Sequence, residues 1–249
     1  MDLNRLLEEI NKLDADDLLV AHQQVLRRQQ ALGSHEVVGI LADIHGDLEG
    51  FRNALVIFEQ HGVKRILCAG DVVDRGSSAD EIVHIIQEMG IICIAGNHDR
   101  TVVTNQARWR AKDNAERLRE VGRIVSDETI EFLKTLPDFD HITIAGKRIL
   151  IAHGVPWSDV IGVFPDSRQS TFDRIYREYG EDYDIILLGH THHPMHAQID
   201  ALTILNPGSI YGVTIGDSHT CAILKLPSLD FDLYDVHSGE QIELDIIQR

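Results

Sequence analysis

The run Val37-Val38-Gly39-Ile40-Leu41-Ala42-Asp43-Ile44-His45-Gly46-Asp47 sets an apolar stretch directly before three side chains that can bind a metal. A stretch of this kind reads as a buried strand, and the ends of buried strands are where open α/β sheets keep their chemistry. The same grammar recurs along the chain. Ile66 to Ala69 leads into Gly70-Asp71-Val72-Val73-Asp74-Arg75-Gly76, and Ile91 to Ala95 into Gly96-Asn97-His98-Asp99. Ile149 to Ala152 leads into His153-Gly154, and Ile185 to Leu188 into Gly189-His190-Thr191-His192. The five segments read together as one two-metal hydrolytic site, because an ion pair that clamps both oxygens of a phosphoryl displacement needs a bridging carboxylate and several ligands on each side.

Outward from these segments, strands and helices alternate. A helix is expected near Leu48 to His61, a strand at Arg65 to Ala69, a helix at Ala79 to Met89 and a strand ending at Ala95. This is βαβ order and implies parallel pairing. Two helical stretches follow, about Asn114 to Ile124 and Asp127 to Leu136. Closely spaced strands come next, at Ile142 to Ala145, Ile149 to Ala152, Ile185 to Leu188, Ala197 to Ile199, Thr203 to Leu205, Thr220 to Leu224 and Phe231 to Val236. The second half therefore reads as a more antiparallel sheet stacked on the first. Residues 3–13 place Leu3, Leu6, Leu7, Ile10 and Leu13 on one helical face, and a second helix runs from Asp14-Ala15-Asp16-Asp17 to Gly33. The expected organisation is a helical extension over residues 1–34 and a catalytic domain over 35–249. The hairpin packs on its own domain or serves as a flap or dimer arm, which leaves a homo-oligomer open.

The order and content of the five segments, from about Val37 to Ser209, resemble the calcineurin-like metallophosphoesterase superfamily. Asn206-Pro207-Gly208-Ser209 and the stretch Trp109 to Leu136 look like the compact bacterial and archaeal phosphoesterases. Asp74-Arg75 instead resembles the Gly-Asp-x-x-Asp-Arg-Gly of the serine/threonine phosphoprotein phosphatases and diadenosine tetraphosphatases. The resemblance implies an α/β, four-layer αββα sandwich of two mixed sheets. It also implies that Asp43, His45 and His192 hold one metal, that Asn97, His153 and His190 hold a second, and that Asp71 bridges them. His98 would protonate the leaving oxygen, with Asp74 orienting it, and Arg75 would offer a planar charged fork to phosphate oxygens. The implied activity is hydrolysis of a phosphomonoester or phosphodiester by a metal-bound hydroxide. A diadenosine-tetraphosphatase-like or protein-phosphatase-like hydrolase is the alternative, and a non-catalytic scaffold of the same fold the lesser one.

The ligand chemistry, all oxygen and imidazole with no thiolate, suits two divalent ions of Mn, Fe, Zn, Co or Ni. A chain of 249 residues, 43% of them apolar, can bury one full core. Its net charge of -17 disfavours nucleic acid and leaves a small phosphorylated substrate, drawn in by the local charge of the ions. No apolar stretch approaches the roughly 18 residues of a membrane span, so a cytoplasmic protein without membrane contact is expected. Cys68, Cys93 and Cys221 lie in apolar runs and read as reduced core residues. Asp47 reads as a helix cap. Trp109 and Trp157 read as buried anchors of connecting segments. The basic run Arg108, Arg110, Lys112, Arg117, Arg119 and Arg123 reads as a solvated helix face, with contact to extra phosphates beside the site as the alternative.

Overall fold

A computed structural model describes residues 35–213 and 216–249, and the helical extension expected over residues 1–34 lies outside them. Strand β1 (Glu36–Leu41) starts a parallel run with β2 (Arg65–Cys68) and β3 (Ile92–Cys93). The connections are helices α1 (Leu48–Gln60) and α2 (Ala79–Met89). Asp47 caps α1, accepting the Gly50 N–H at 2.9 Å. After β3 come α3 (Asn97–Arg110), α4 (Ala115–Glu120) and α5 (Asp127–Thr135), then β4 (Phe139–Ile144) and β5 (Lys147–Ala152). Helix α6 (Gln169–Tyr179) precedes β6 (Ile185–Leu187), β7 (Met195–Ile199) and β8 (Leu202–Asn206). The chain ends with β9 (Thr220–Leu226), β10 (Asp230–Asp235), β11 (Gln241–Ile242) and β12 (Ile246–Gln248).

Two six-stranded sheets result, ordered β11-β10-β9-β1-β2-β3 and β12-β7-β8-β6-β5-β4. Strand alternation builds the layers. In β1, Val38 and Ile40 face the second sheet and join Ile149, Ile151, Ile185, Leu187 and Leu205, while Leu41 faces α1 and α2 among Phe51, Ala54, Ile82 and Ile86. On the far face of the second sheet, Leu150, Ile186 and Ile204 pack against Phe172 and Ile175 of α6. The architecture is the expected αββα sandwich. Cys68, Cys93 and Cys221 are buried free thiols, as their apolar surroundings implied.

Two expectations about pairing are corrected. Strands β9 and β10 do not join the second sheet; β9 lies antiparallel to β1 and β10 to β9. The second sheet is not mainly antiparallel either, since β5, β6 and β8 run parallel to one another. Apolar alternation tells that a strand is buried but carries no address for its neighbour. Helix α3 also went unread, since only Asp99, Val102 and Gln106 of it are buried and its apolar stripe is too thin to register. The stretch expected to be helical from Asn114 to Ile124 contracts to the six residues of α4.

Gly39 marks the tightest contact of β1 with α1, where an added Cβ would sit 2.7 Å from Phe58 Cε2. Both sides of that contact are packed, so the ring has to shift. We expect Gly39→Ala to lower stability by about 1–3 kcal/mol in urea denaturation. The loss should shrink when Phe58→Leu is added to the same chain. An unchanged midpoint for Gly39→Ala alone would show that Phe58 yields freely.

Candidate metal centre

The loops that follow β1, β2, β3, β5 and β6 meet at one end of the two sheets, and they bring together every candidate ligand. Asp43, His45, Asp71, Asp74, Arg75, His190 and His192 all hold positive φ, between 48° and 73°. Left-handed backbone is uncommon for non-glycine residues and clusters where surrounding structure over-determines it. Here backbone hydrogen bonds supply that constraint. The Asp43 N–H donates to Gly70 O and the His45 N–H to Asp71 O, both at 3.0 Å, while Tyr211 N–H donates to Asp43 O at 3.1 Å.

The first cluster is Asp43, His45 and His192. His45 Nδ1 donates to Val73 O at 3.1 Å, and His192 Nδ1 lies 2.5 Å from Asp217 Oδ1. With those nitrogens protonated, both Nε2 atoms are lone-pair acceptors, yet they stand only 3.3 Å apart. Asp43 Oδ1 lies 3.2 Å from His192 Nε2, is buried, and has no hydrogen-bond partner among the described residues. Three buried lone-pair donors facing one point describe a cation cradle.

The second cluster is Asn97, His153 and His190, with Asp71 between the two. His153 Nδ1 donates to Ala69 O at 2.7 Å, which turns Nε2 toward Asn97 Oδ1 and Asp71 Oδ2, both at 3.1 Å. His190 Nδ1 lies 3.0 Å from the same Asn97 oxygen. Asp71 Oδ2 is also 3.7 Å from His45 Nε2, so one carboxylate faces both clusters. Burial lowers the pKa of His45 to about 4 despite Asp71 and Asp43. Burial acts the same way on His153, but the Asp71 carboxylate reverses it and holds that imidazole up at about 10. The residues present fit divalent cations.

His98 follows Asn97 and stands between the clusters, its ring 4.8 Å from that of His45 and a ring nitrogen within 4.8 Å of ligand atoms of His45 and Asp71. Its backbone N–H donates to Asp71 Oδ1 at 2.8 Å, and its Nδ1 lies 2.8 Å from Asp74 Oδ2. Burial opposes a charge on His98, but the Asp74 hydrogen bond and the Asp71 charge raise its pKa. Asp74 is 2% exposed, and its other oxygen accepts from the Arg75 N–H at 2.8 Å and Arg123 Nε at 3.0 Å. Arg75 lies at the rim, its Nη1 3.9 Å from Asp217 Oδ1 and its guanidinium over the Tyr211 ring.

Several contributors carried no motif in the sequence. Asp217 supports His192, Arg123 braces Asp74, and Asn206 Nδ2 donates to Gly189 O at 2.8 Å and holds the His190 loop. Asp99 stands inside the Gly96-Asn97-His98-Asp99 segment, but nothing in that segment shows what it does. Its Oδ2 accepts from Asp71 N (2.9 Å) and Gly96 N (2.8 Å), and its Oδ1 from Val72 N (2.9 Å) and Val73 N (3.1 Å). Gly96 must lack a side chain, since its Cβ would fall 2.0 Å from Asp71 Oδ1.

A ligand-bearing loop at the end of each of five strands, closed over an αββα sandwich, defines the class of protein. Residues 37–228 match the calcineurin-like phosphoesterase superfamily domain, and the chain belongs to that superfamily. Two relatives come from Methanocaldococcus jannaschii. The uncharacterized protein MJ0912 is 29% identical over 178 residues, covering 70% of each chain. The phosphodiesterase MJ0936 is 25% identical over 184 residues, covering 72% of this chain and 87% of its own. The fold is similar to that of a metallophosphoesterase from Sphaerobacter thermophilus, with a TM-score of 0.64, 18% identity and coverage of 84% and 89%. Among the described residues no helix is long and apolar enough to cross a membrane.

Asp99→Asn provides the test of how the centre is held. Whichever way the amide is turned, its NH₂ group must face two backbone donors. We expect a loss of about 3 kcal/mol in denaturant unfolding, together with weaker uptake of Mn as Asp71 loosens. Wild-type stability in this variant would show that the four amide bonds do not hold the loops.

Proposed function

We propose that this chain is a binuclear, divalent-metal-dependent hydrolase of phosphomonoesters or phosphodiesters that acts on a small phosphorylated substrate. Asp43, His45 and His192 would hold one ion, Asn97, His153 and His190 the other, and Asp71 would bridge them. Bound ions supply Lewis-acid polarisation of phosphoryl oxygens and lower the pKa of a water molecule. The observation that carries the reading is the pairing of His98 with buried Asp74 directly beside the ligand clusters.

Each flanking residue then has a task set by its surroundings. Asp74 accepts the His98 Nδ1 proton, so Nε2 is the nitrogen left to serve the leaving oxygen. The Asp74 hydrogen bond and the Asp71 charge raise the pKa of that imidazole, the direction that favours the protonated form a general acid needs. Arg123 and the Arg75 amide hold the other Asp74 oxygen and fix the carboxylate in place. Arg75 presents its fork to non-bridging phosphate oxygens. The complete ligand set and the paired His98 favour catalysis over a scaffold, and Asp74-Arg75 gives weight to monoesters and nucleotide polyphosphates.

Turnover of para-nitrophenyl phosphate against its bis ester, with and without Mn, tests the activity, and none with any transition metal would overturn it. His98→Ala should cost about 10²- to 10⁴-fold with an alkyl phosphate and much less with para-nitrophenyl phosphate, whose anion leaves without a proton. Equal losses on both would remove the proton-donor role. Elemental analysis should find close to two ions per wild-type chain. The Asp71→Asn variant should retain fewer than any variant of a single terminal ligand, and one ion or none in the reconstituted wild type would contradict the binuclear reading.

A further inference from the structure

Beside Asp74 lies a cavity of about 630 Å³ whose polar lining is Asp74, Arg75, Asn114, Arg117, Arg123 and Tyr211. Three separate segments converge there: the loop after β2, the stretch from α4 to Arg123, and the loop after β8. We propose that it is a second anion subsite, which holds a phosphate that is not cleaved. The substrate would then carry at least two phosphate groups, as nucleoside and inorganic polyphosphates do. The proposal rests on the hydrolytic reading above.

Three guanidinium groups face this cavity against the single Asp74 carboxylate, and that carboxylate is already held by His98 and Arg123. Arg123 spends only Nε on Asp74, and its other nitrogens make no hydrogen bond among the described residues. The guanidinium lies over the Trp109 ring, 5.8 Å from its centroid. Arg117 is exposed and makes no hydrogen bond or ion pair among the described residues. Other arginines of the same basic stretch are engaged elsewhere, Arg110 with Asp127 and Val125 O, and Arg119 with Glu116. Within the stretch, Arg110 and Arg119 are thus tied up locally, while Arg117 and Arg123 line the cavity.

Charge and geometry select the occupant. In a chain of net charge -17, a cationic pocket is a local feature and not part of a broad basic surface. Arginine forks match pairs of phosphate oxygens. Arg75 is common to the cavity and the metal centre, so it can contact the scissile phosphate. Arg117 and Arg123 then meet the next phosphate along the chain.

The test uses the full chain with free Mn held constant, comparing inorganic tripolyphosphate with para-nitrophenyl phosphate in the wild type, Arg117→Ala and Arg117→Lys. Arg117→Ala should lower kcat/KM for tripolyphosphate about tenfold more than for para-nitrophenyl phosphate. Arg117→Lys should fall between, and the preference should weaken as ionic strength rises. Calorimetric binding of pyrophosphate should weaken by a similar factor in Arg117→Ala while orthophosphate binding holds. Equal losses on both substrates, or pyrophosphate bound no differently by Arg117→Ala, would overturn the subsite. If the metal-replete wild type turns over neither of these substrates nor the bis ester, the hydrolytic reading fails, and a pyrophosphate affinity that depends on Arg117 would leave the anion subsite standing by itself.

Discussion

The buried carboxylate of Asp99, accepting four backbone N–H groups from two different loops, is the constraint on which the centre depends. It sits on the first turn of α3 yet reaches across to Asp71, Val72 and Val73 after β2. Burial and the nearby Asp71 charge push its pKa up to about 7, against the pull of the amides. That opposition is the cost of the arrangement. In return the loops of β2 and β3 become one rigid piece, and Asp71, which faces both ligand clusters, is placed by a residue with no ligating role.

The centre also concentrates strain and charge that a core alone would reject. Seven of its residues hold left-handed backbone, at a cost on the order of 1–3 kcal/mol each. Asp43 and Asp71 are both buried within reach of His45. The sandwich around them, packed through three apolar clusters, supplies the stability that lets these loops persist. Cations held there would relieve the repulsion between the carboxylates.

Net charge and local field point in opposite directions here. The acidic total describes the chain as a whole, while at about 10 Å of screening the guanidinium groups near Asp74 set the local field. Arg75 joins the metal centre to the cavity beyond it. Its fork is held between Asp217 and the Tyr211 ring, two contacts made by a single loop after β8.

The longer strands, the first two helices, the Asp47 cap and the candidate ligands were legible in the sequence, because each depends on neighbours a few positions away, whereas the short β11 and β12 were not. A buried strand announces itself by its apolar run, and Asp43, Asp71, Asn97, His153 and His190 announce themselves by following one. What was not legible depends on partners far along the chain. The placement of β9 beside β1 joins residues more than 180 positions apart, and apolar side chains carry no address for their partner. The pairing of His98 with Asp74 was expected from resemblance, and the two side chains lie 2.8 Å apart, whereas Asp217 on His192 and Arg123 on Asp74 had no local signal at all. Asp99 followed a ligand motif, but its role needed the amides of a loop 26 to 28 residues earlier. Sequence alone therefore determined which side chains could do chemistry, since donor type and local conformation are intrinsic to a short stretch. Only the tertiary structure decided what holds them and which charges share a cavity, because hydrogen bonds and fields act through space between segments whose separation along the chain carries no record of their meeting.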